Sequence, residues 1–214
     1  MRFLSYISNM VKNLDHLGIK SIVDSYDLFF IDLWGVVHNG IKLYDNSINV
    51  LDNLAAAKKK FVLLTNAPRP NENVVNFLKK IGLKKHFDKV FTSGEAAQKY
   101  LFNELHDQKF FHIGPPRDFD LFKNIEKNNV FNIEDADYLL CTGLFDEHEN
   151  DLNYYKNLLS NHISKKLICT NPDLIVDRGV RSEYCAGSVA KIFEEIKVKV
   201  IILENHTHQF IINL

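Results

Sequence analysis

Tyr26-Asp27-Leu28-Phe29-Phe30-Ile31-Asp32-Leu33-Trp34-Gly35-Val36-Val37-His38-Asn39-Gly40 is the stretch whose reading decides the fold. Residues 26–33 are apolar almost throughout, the pattern of a short strand buried on both faces of a parallel sheet. The strand ends on a carboxylate, Asp32, and Gly35 and Gly40 punctuate the segment after it. Further along, residues 47–59 carry Ile48, Leu51, Leu54 and Ala55 at helical spacing and finish in a lysine run suited to a helix C-terminus. Residues 60–64 read as a second buried strand closed by Thr65-Asn66-Ala67-Pro68, and residues 71–81 as a helix ended by Gly82. Strand, helix, strand, helix at this spacing predicts an α/β fold with a parallel sheet and crossover helices.

A second series starts after Val90-Phe91-Thr92-Ser93-Gly94. Helices are expected over 95–105, 119–125 and 152–161, with strands over 109–113, 138–142 and 166–170. The last strand runs into Asn171-Pro172-Asp173. This reads as a second α/β unit inserted into the first, which resumes with a helix over 187–196 and a strand over 199–203. The expected domains are a discontinuous core over 1–91 and 184–214 and an inserted unit over 92–183. There is no internal repeat and no low-complexity linker.

The chain has 214 residues, 46% hydrophobic and 25% charged, enough to bury a real core. With 26 basic and 27 acidic residues the net charge is -1, which gives no reason to expect nucleic acid or an anionic membrane as partner. Cys141, Cys169 and Cys185 form no C-x-x-C pair, so neither a disulfide framework nor a zinc site is expected, and free thiols in a reducing compartment are. The N-terminal residues are too polar for a signal peptide, and no segment approaches the roughly 18 apolar residues of a membrane span. The expected location is the cytoplasm.

Open α/β sheets place their ligands at the C-terminal ends of the strands, where Asp32 stands. There it can be a nucleophile, a cation ligand or the cap of a turn. Thr65 and Asn66 end the second strand on the same rim, and a hydroxyl and an amide suit a phosphoryl oxygen, though Asn-Ala-Pro also favours a plain turn. No glycine-rich phosphate loop of the nucleotide-binding kinds occurs.

These residues resemble the haloacid dehalogenase-like hydrolases. Residues 30–40 are similar to the first motif of the class IIA subfamily, D-x-W-G-V-x-H-x-G. The likeness continues in order through Thr65-Asn66-Ala67-Pro68-Arg69-Pro70, Thr92-Ser93-Gly94 and Gly114-Pro115-Pro116-Arg117-Asp118. It extends to Thr142-Gly143-Leu144, Thr170-Asn171-Pro172-Asp173 and Tyr184-Cys185-Ala186-Gly187. The resemblance implies a Rossmann-like core, an inserted α/β cap of the C2 type and Mg²⁺-dependent phosphoryl transfer from a small phosphorylated metabolite through an aspartyl-phosphate. It makes Asp32 the nucleophile and a metal ligand, gives the metal the Trp34 carbonyl, and sets Thr65 and Asn66 on the phosphoryl group. Asn171, Asp173 and Arg178 belong to the cap region facing the substrate, while Arg117, after two prolines, reads as part of a surface turn. Oligomerisation is left open.

Two departures matter. Trp34 stands where most phosphatases of the superfamily carry a second Asp, and indole has no acid chemistry near neutral pH. General acid–base help is worth about 10²–10⁴-fold, so a slow enzyme is expected, with a non-catalytic metabolite- or protein-binding remnant as the alternative. The second departure lies after residue 203, where the family expects Gly-Lys-Pro-His and later an acidic motif. Here Glu204-Asn205-His206-Thr207-His208 stands instead, read as a polar tail or as a His pair short of a third metal ligand. With suitable codons the bases encoding residues 203–212 spell Gly-Lys-Pro-His-Thr-Pro-Ile-Tyr-His in another frame. A frameshift near codon 203, which gene sequencing checks, is therefore expected to have truncated the core and left the sheet edge after Leu203 unpaired.

Overall fold

The computed structural model describes residues 18–196, 198–203 and, for the backbone, 211–212. In chain order these form β1 (Leu28–Asp32), α1 (Asp45–Ala56), β2 (Lys60–Thr65), α2 (Asn71–Lys80), β3 (Val90–Thr92) and α3 (Ser93–Leu105). Next come β4 (Phe110–Ile113), β5 (Tyr138–Cys141), α4 (Leu152–Ser160), β6 (Lys166–Cys169), β7 (Ile175–Arg178), β8 (Arg181–Tyr184), α5 (Ala186–Glu195), β9 (Val200–Ile202) and β10 (Ile211–Ile212). The α/β class expected from the sequence is the one observed. His206 and His208, the tail or metal pair of the sequence, lie outside the described residues.

The first sheet has the order β1-β2-β3, all parallel. One face carries Phe29, Ile31, Phe61 and Leu63, which pack with Leu51 and Leu54 of α1 and Val74 and Leu78 of α2. The other face departs from the expected two-sided burial. Phe30 is 66% exposed and Leu28 and Asp32 are also exposed, since among the described residues no helix covers this side of β1.

The second sheet has the order β10-β9-β6-β5-β4 and is parallel except for β10. It is packed on both sides. Tyr155 of α4 and Val189 and Phe193 of α5 meet Leu139, Cys141, Leu167 and Cys169; Leu101 of α3, with Leu121 and Phe122, meets Phe110, Leu140 and Ile168. Two expectations are corrected here. The strand predicted over 199–203 does not return beside β1–β3; it pairs with β6, Ile202 opposite Cys169, and Leu203 N–H continues the ladder to the Cys169 carbonyl at 2.8 Å. Nor is its outer edge bare, because Ile211 and Ile212 pair antiparallel with Ile202 and Ile201.

The segment predicted as a helix over 119–125 is a 3₁₀ stretch, Pro116–Asn128, broken at Phe122 and Ile125. Leu121, Phe122 and Ile125 are all buried in the core. The three cysteines are free and buried, and burial pushes the thiols of Cys169 and Cys185 up to about 12. Among the described residues no helix is long and apolar enough to cross a membrane.

The two sheets meet where α2 and α3 begin. Thr92 caps α3, its hydroxyl oxygen accepting from Glu95 N–H at 2.9 Å. The same hydroxyl donates to the Arg69 carbonyl at 2.6 Å, Asn71 Oδ1 accepts from Thr92 N–H, and Glu95 Oε2 accepts from Asn71 N–H. The loop after β2 is thereby tied to the start of the second unit.

Candidate active site

β1 and β2 run in parallel register with Asp32 opposite Leu64, so Asp32 and Thr65 stand at neighbouring strand ends. After Asp32 the chain turns sharply: Gly35 (φ 77°) donates to the His38 carbonyl at 2.7 Å, and Val37 and His38 both donate to the Leu33 carbonyl. Gly40 (φ 80°) closes the turn against the Trp34 ring, where a Cβ would come within 2.6 Å of an indole carbon. His38 is buried, accepts from Gly40 N–H at its Nδ1, and is pushed down to about 4 by burial. It is a neutral structural imidazole, with no acidic proton to offer near pH 7.

Trp34 is used for its N–H. Nε1 donates to the Asp177 carbonyl at 3.0 Å, and the Arg178 guanidinium lies 5.7 Å from the ring centroid. At the hairpin's tip, Gly179 approaches Ile41 so closely that a Cβ would be 2.9 Å from its Cδ1. The β7–β8 hairpin therefore straps across the loop after Asp32. Trp34→Phe deletes the donor and weakens the cation–π contact, with an expected loss of about 1 kcal/mol in thermal unfolding. Trypsin cleavage after Arg178 and Arg181, read by mass spectrometry, should accelerate.

A second cross-link lies beside the first. Asn66 Nδ2 donates to Asp173 Oδ1 at 3.0 Å, while the Thr65 hydroxyl oxygen accepts from Ala67 N–H at 3.2 Å, leaving its own proton free to donate elsewhere. Asn171 Oδ1 accepts from Asp173 N–H and shapes their shared loop. Arg178 has Glu183 as a loose partner at 3.6 Å. Arg117 makes an exposed pair with Asp146, in keeping with the surface turn expected of it.

Its neighbour Asp118 was not singled out by its sequence context, yet it sits in the buried joint between the units. It is only 4% exposed, accepts from Arg69 Nε at 3.1 Å and bonds Thr142, whose hydroxyl lies 2.8 Å from His112 Nε2. Gly114 makes room for this chain, since a Cβ there would fall 2.1 Å from the Thr142 hydroxyl. Burial pushes the Asp118 carboxyl above its ordinary value, outweighing the pull of Arg69. A raised folded-state value means that the stability this group contributes is fully present below the ordinary carboxylate range and is lost as pH rises through the raised value. Urea unfolding of wild type against Asp118→Asn across that range should show the difference shrinking upward in pH. Asp118→Ala, which removes the acceptor of the Arg69 Nε–H and the partner of Thr142, should cost about 1–3 kcal/mol.

The residues that the resemblance implies for a cation are Asp32 and, through its carbonyl, Trp34. Among the described residues no three His, Cys, Asp or Glu gather into one group. Mg²⁺ demands near-octahedral oxygen coordination, and these two oxygens fill only part of such a site.

Residues 29–127 match the haloacid dehalogenase-like hydrolase family. A solved hydrolase of that family from Brucella suis 1330 superposes with a TM-score of 0.79 at 31% identity, over 85% of this chain and 70% of that one. The chain belongs to the haloacid dehalogenase-like hydrolases. Its first motif resembles that of the class IIA branch. Chloroplastic phosphoglycolate phosphatase 1A of Arabidopsis thaliana is 30% identical to this haloacid dehalogenase-like chain over 110 residues, 50% of the chain but 29% of that protein. The 4-nitrophenylphosphatase of Thermotoga maritima shares the fold at 24% identity and a TM-score of 0.64, covering 86% of this chain and 70% of that one.

Proposed function

We propose that the chain hydrolyses small phosphate monoesters, with Asp32 as nucleophile and the Thr65 hydroxyl donating to the phosphoryl group. The observation that carries this reading is the neighbouring strand ends: a carboxylate beside a hydroxyl that accepts from Ala67 N–H and has a proton to donate. The names of the relatives, phosphoglycolate phosphatase and 4-nitrophenylphosphatase, support the substrate class. An Asp32 oxygen bonds to phosphorus as the bond to the leaving oxygen breaks, and the electron pair departs with that oxygen. Water then attacks phosphorus, releasing phosphate and restoring the carboxylate. The free thiols fit a cytoplasmic location.

No group in the Trp34 turn protonates the leaving oxygen. Trp34 N–H is bonded to Asp177, and His38 is buried and neutral. Turnover is therefore slow and falls steeply with leaving-group pKa. A series of aryl phosphates of graded acidity tests this: a flat dependence points to another proton donor, and turnover insensitive to Asp32→Asn removes the reading.

A binding role is the second reading, favoured by the same engagement of Trp34. Thermal stabilisation by a phosphate ester without any turnover would select it.

A further inference from the structure

The open side of β1 is apolar. Leu28 and Phe30 are 45% and 66% exposed, and Val62, level with Phe30 on β2, stands half-buried beside them. Further across the sheet the same side is covered: Leu64 is buried, and Lys99 of α3 reaches over the ring of Phe91 on β3. The opening is therefore about two strands wide and as long as β1, which has five residues. Strands lie about 4.8 Å apart and rise about 3.3 Å per residue, so it has room for one helix, about 10 Å across, laid along about 17 Å of strand.

Residues 1–17 lie outside the described residues, and their sequence carries a stripe that matches the opening. Phe3, Ile7, Met10, Leu14 and Leu17 recur at steps of four and three, with Leu4 and Val11 beside them. At 3.6 residues per turn these side chains fall within an arc of about 140°, and Ser5, Asn9, Lys12 and Asn13 take the other side. Gly18, whose φ of 60° strains any side chain, follows the stripe where a helix stop belongs. Two 3₁₀ turns, Ile19–Ser21 and Val23–Ser25, then shorten the path into β1, which keeps Leu17 near the start of the strand.

We infer that the apolar stripe of residues 3–17 docks as a helix on the open face of β1, antiparallel to the strand. Leu14 then comes level with Leu28 and Ile7 with Phe30, and Phe3 and Leu4 reach the rim beside Asp32. Taking these side chains out of water together favours the docked state. A second copy fits the strand less well. Two β1 strands paired antiparallel with Phe29 opposite Phe30 would set Asp27 against Asp32, like charges face to face.

The test uses the full chain. Phe30→Cys is combined with Ile7→Cys on the stripe or with Asn9→Cys on the polar side, and each pair is oxidised with copper phenanthroline; the native thiols are buried. The 7–30 disulfide, located within one chain by mass spectrometry, should form about tenfold faster than the 9–30 one, because a bridge needs Cα atoms within about 7 Å. Equal rates overturn the inference, and so do disulfides that join two chains, which would assign the face to a second copy. Thermal unfolding gives an answer that does not depend on the cysteines. Ile7→Asp and Phe30→Ser should each lower the Tm by about 5 °C, and the double variant should fall little further than either, because both remove one contact. Asn9→Asp should leave the Tm unmoved. A Tm for Ile7→Asp equal to that of wild type, or a shift no larger than that of Asn9→Asp, overturns the inference whatever Phe30→Ser does.

Discussion

Replacing Asp32 by Asn is expected to lower turnover of 4-nitrophenyl phosphate by on the order of 10³-fold or more, with little change in thermal stability. The amide matches the carboxylate in shape, so the β1 ladder and the turn at Gly35 keep their geometry. What it lacks is an oxygen able to form and release a bond to phosphorus. Asp32 is exposed at its strand end, where an isosteric amide needs no repacking. A large activity loss with an unmoved Tm would therefore be chemical in origin. Asp32→Glu sharpens the point: it keeps the charge but moves the oxygens by one methylene, and displacement of about 1 Å is enough to cost 10²-fold. Loss in both variants identifies a nucleophile whose position matters. Retained activity in Asp32→Glu alone would indicate a charge role.

The parts of this site carried by local pattern are legible in the sequence. Strand-ending polar residues at 32 and 65 come after apolar runs, and a parallel sheet brings such ends to one rim whatever else the chain does. The inability of Trp34 to protonate a leaving group is equally plain from its chemistry. Its use as a peg for the hairpin is not, because its partner at 177 lies 143 residues away. The Arg69–Asp118 pair is hidden for the same reason. Asp118 comes directly after Gly-Pro-Pro-Arg and looks like part of the surface turn that Arg117 does occupy.

Sheet membership is illegible for a different reason. Val200-Ile201-Ile202 is apolar enough to join either sheet, and nothing local distinguishes a partner such as β6 from β1. The exposed face of β1 escapes local pattern likewise: Leu28 and Phe30 are apolar, but whether anything lies against them is a property of the whole fold. Periodicity reports which residues can be buried, whereas partners decide which are.

Gly94→Ala is expected to be the most destabilising of the substitutions considered, costing about 3 kcal/mol or more in urea unfolding. The added Cβ would lie 2.1 Å from the Arg69 nitrogen and 2.4 Å from its carbonyl carbon and oxygen, all main-chain atoms with no rotamer to escape into. Relief requires moving the loop 67–69, which is fixed from several sides. Gly94 N–H and the Ser93 hydroxyl both donate to the Ala67 carbonyl, and the Thr92 hydroxyl donates to that of Arg69. Moving the loop also frees Ala67 N–H from the Thr65 hydroxyl, so turnover should fall together with stability. Gly35→Ala is the matched control. Its φ of 77° strains any side chain, but nothing lies within 4 Å of the new Cβ, so the cost is about 1–2 kcal/mol from backbone strain alone. If the two variants unfold at the same urea concentration, the approach of α3 to the Arg69 backbone is soft, and the joint between the two sheets does not hold Thr65 in place. A midpoint clearly lower for Gly94→Ala makes that contact the rigid link through which the second α/β unit positions the rim at Asp32.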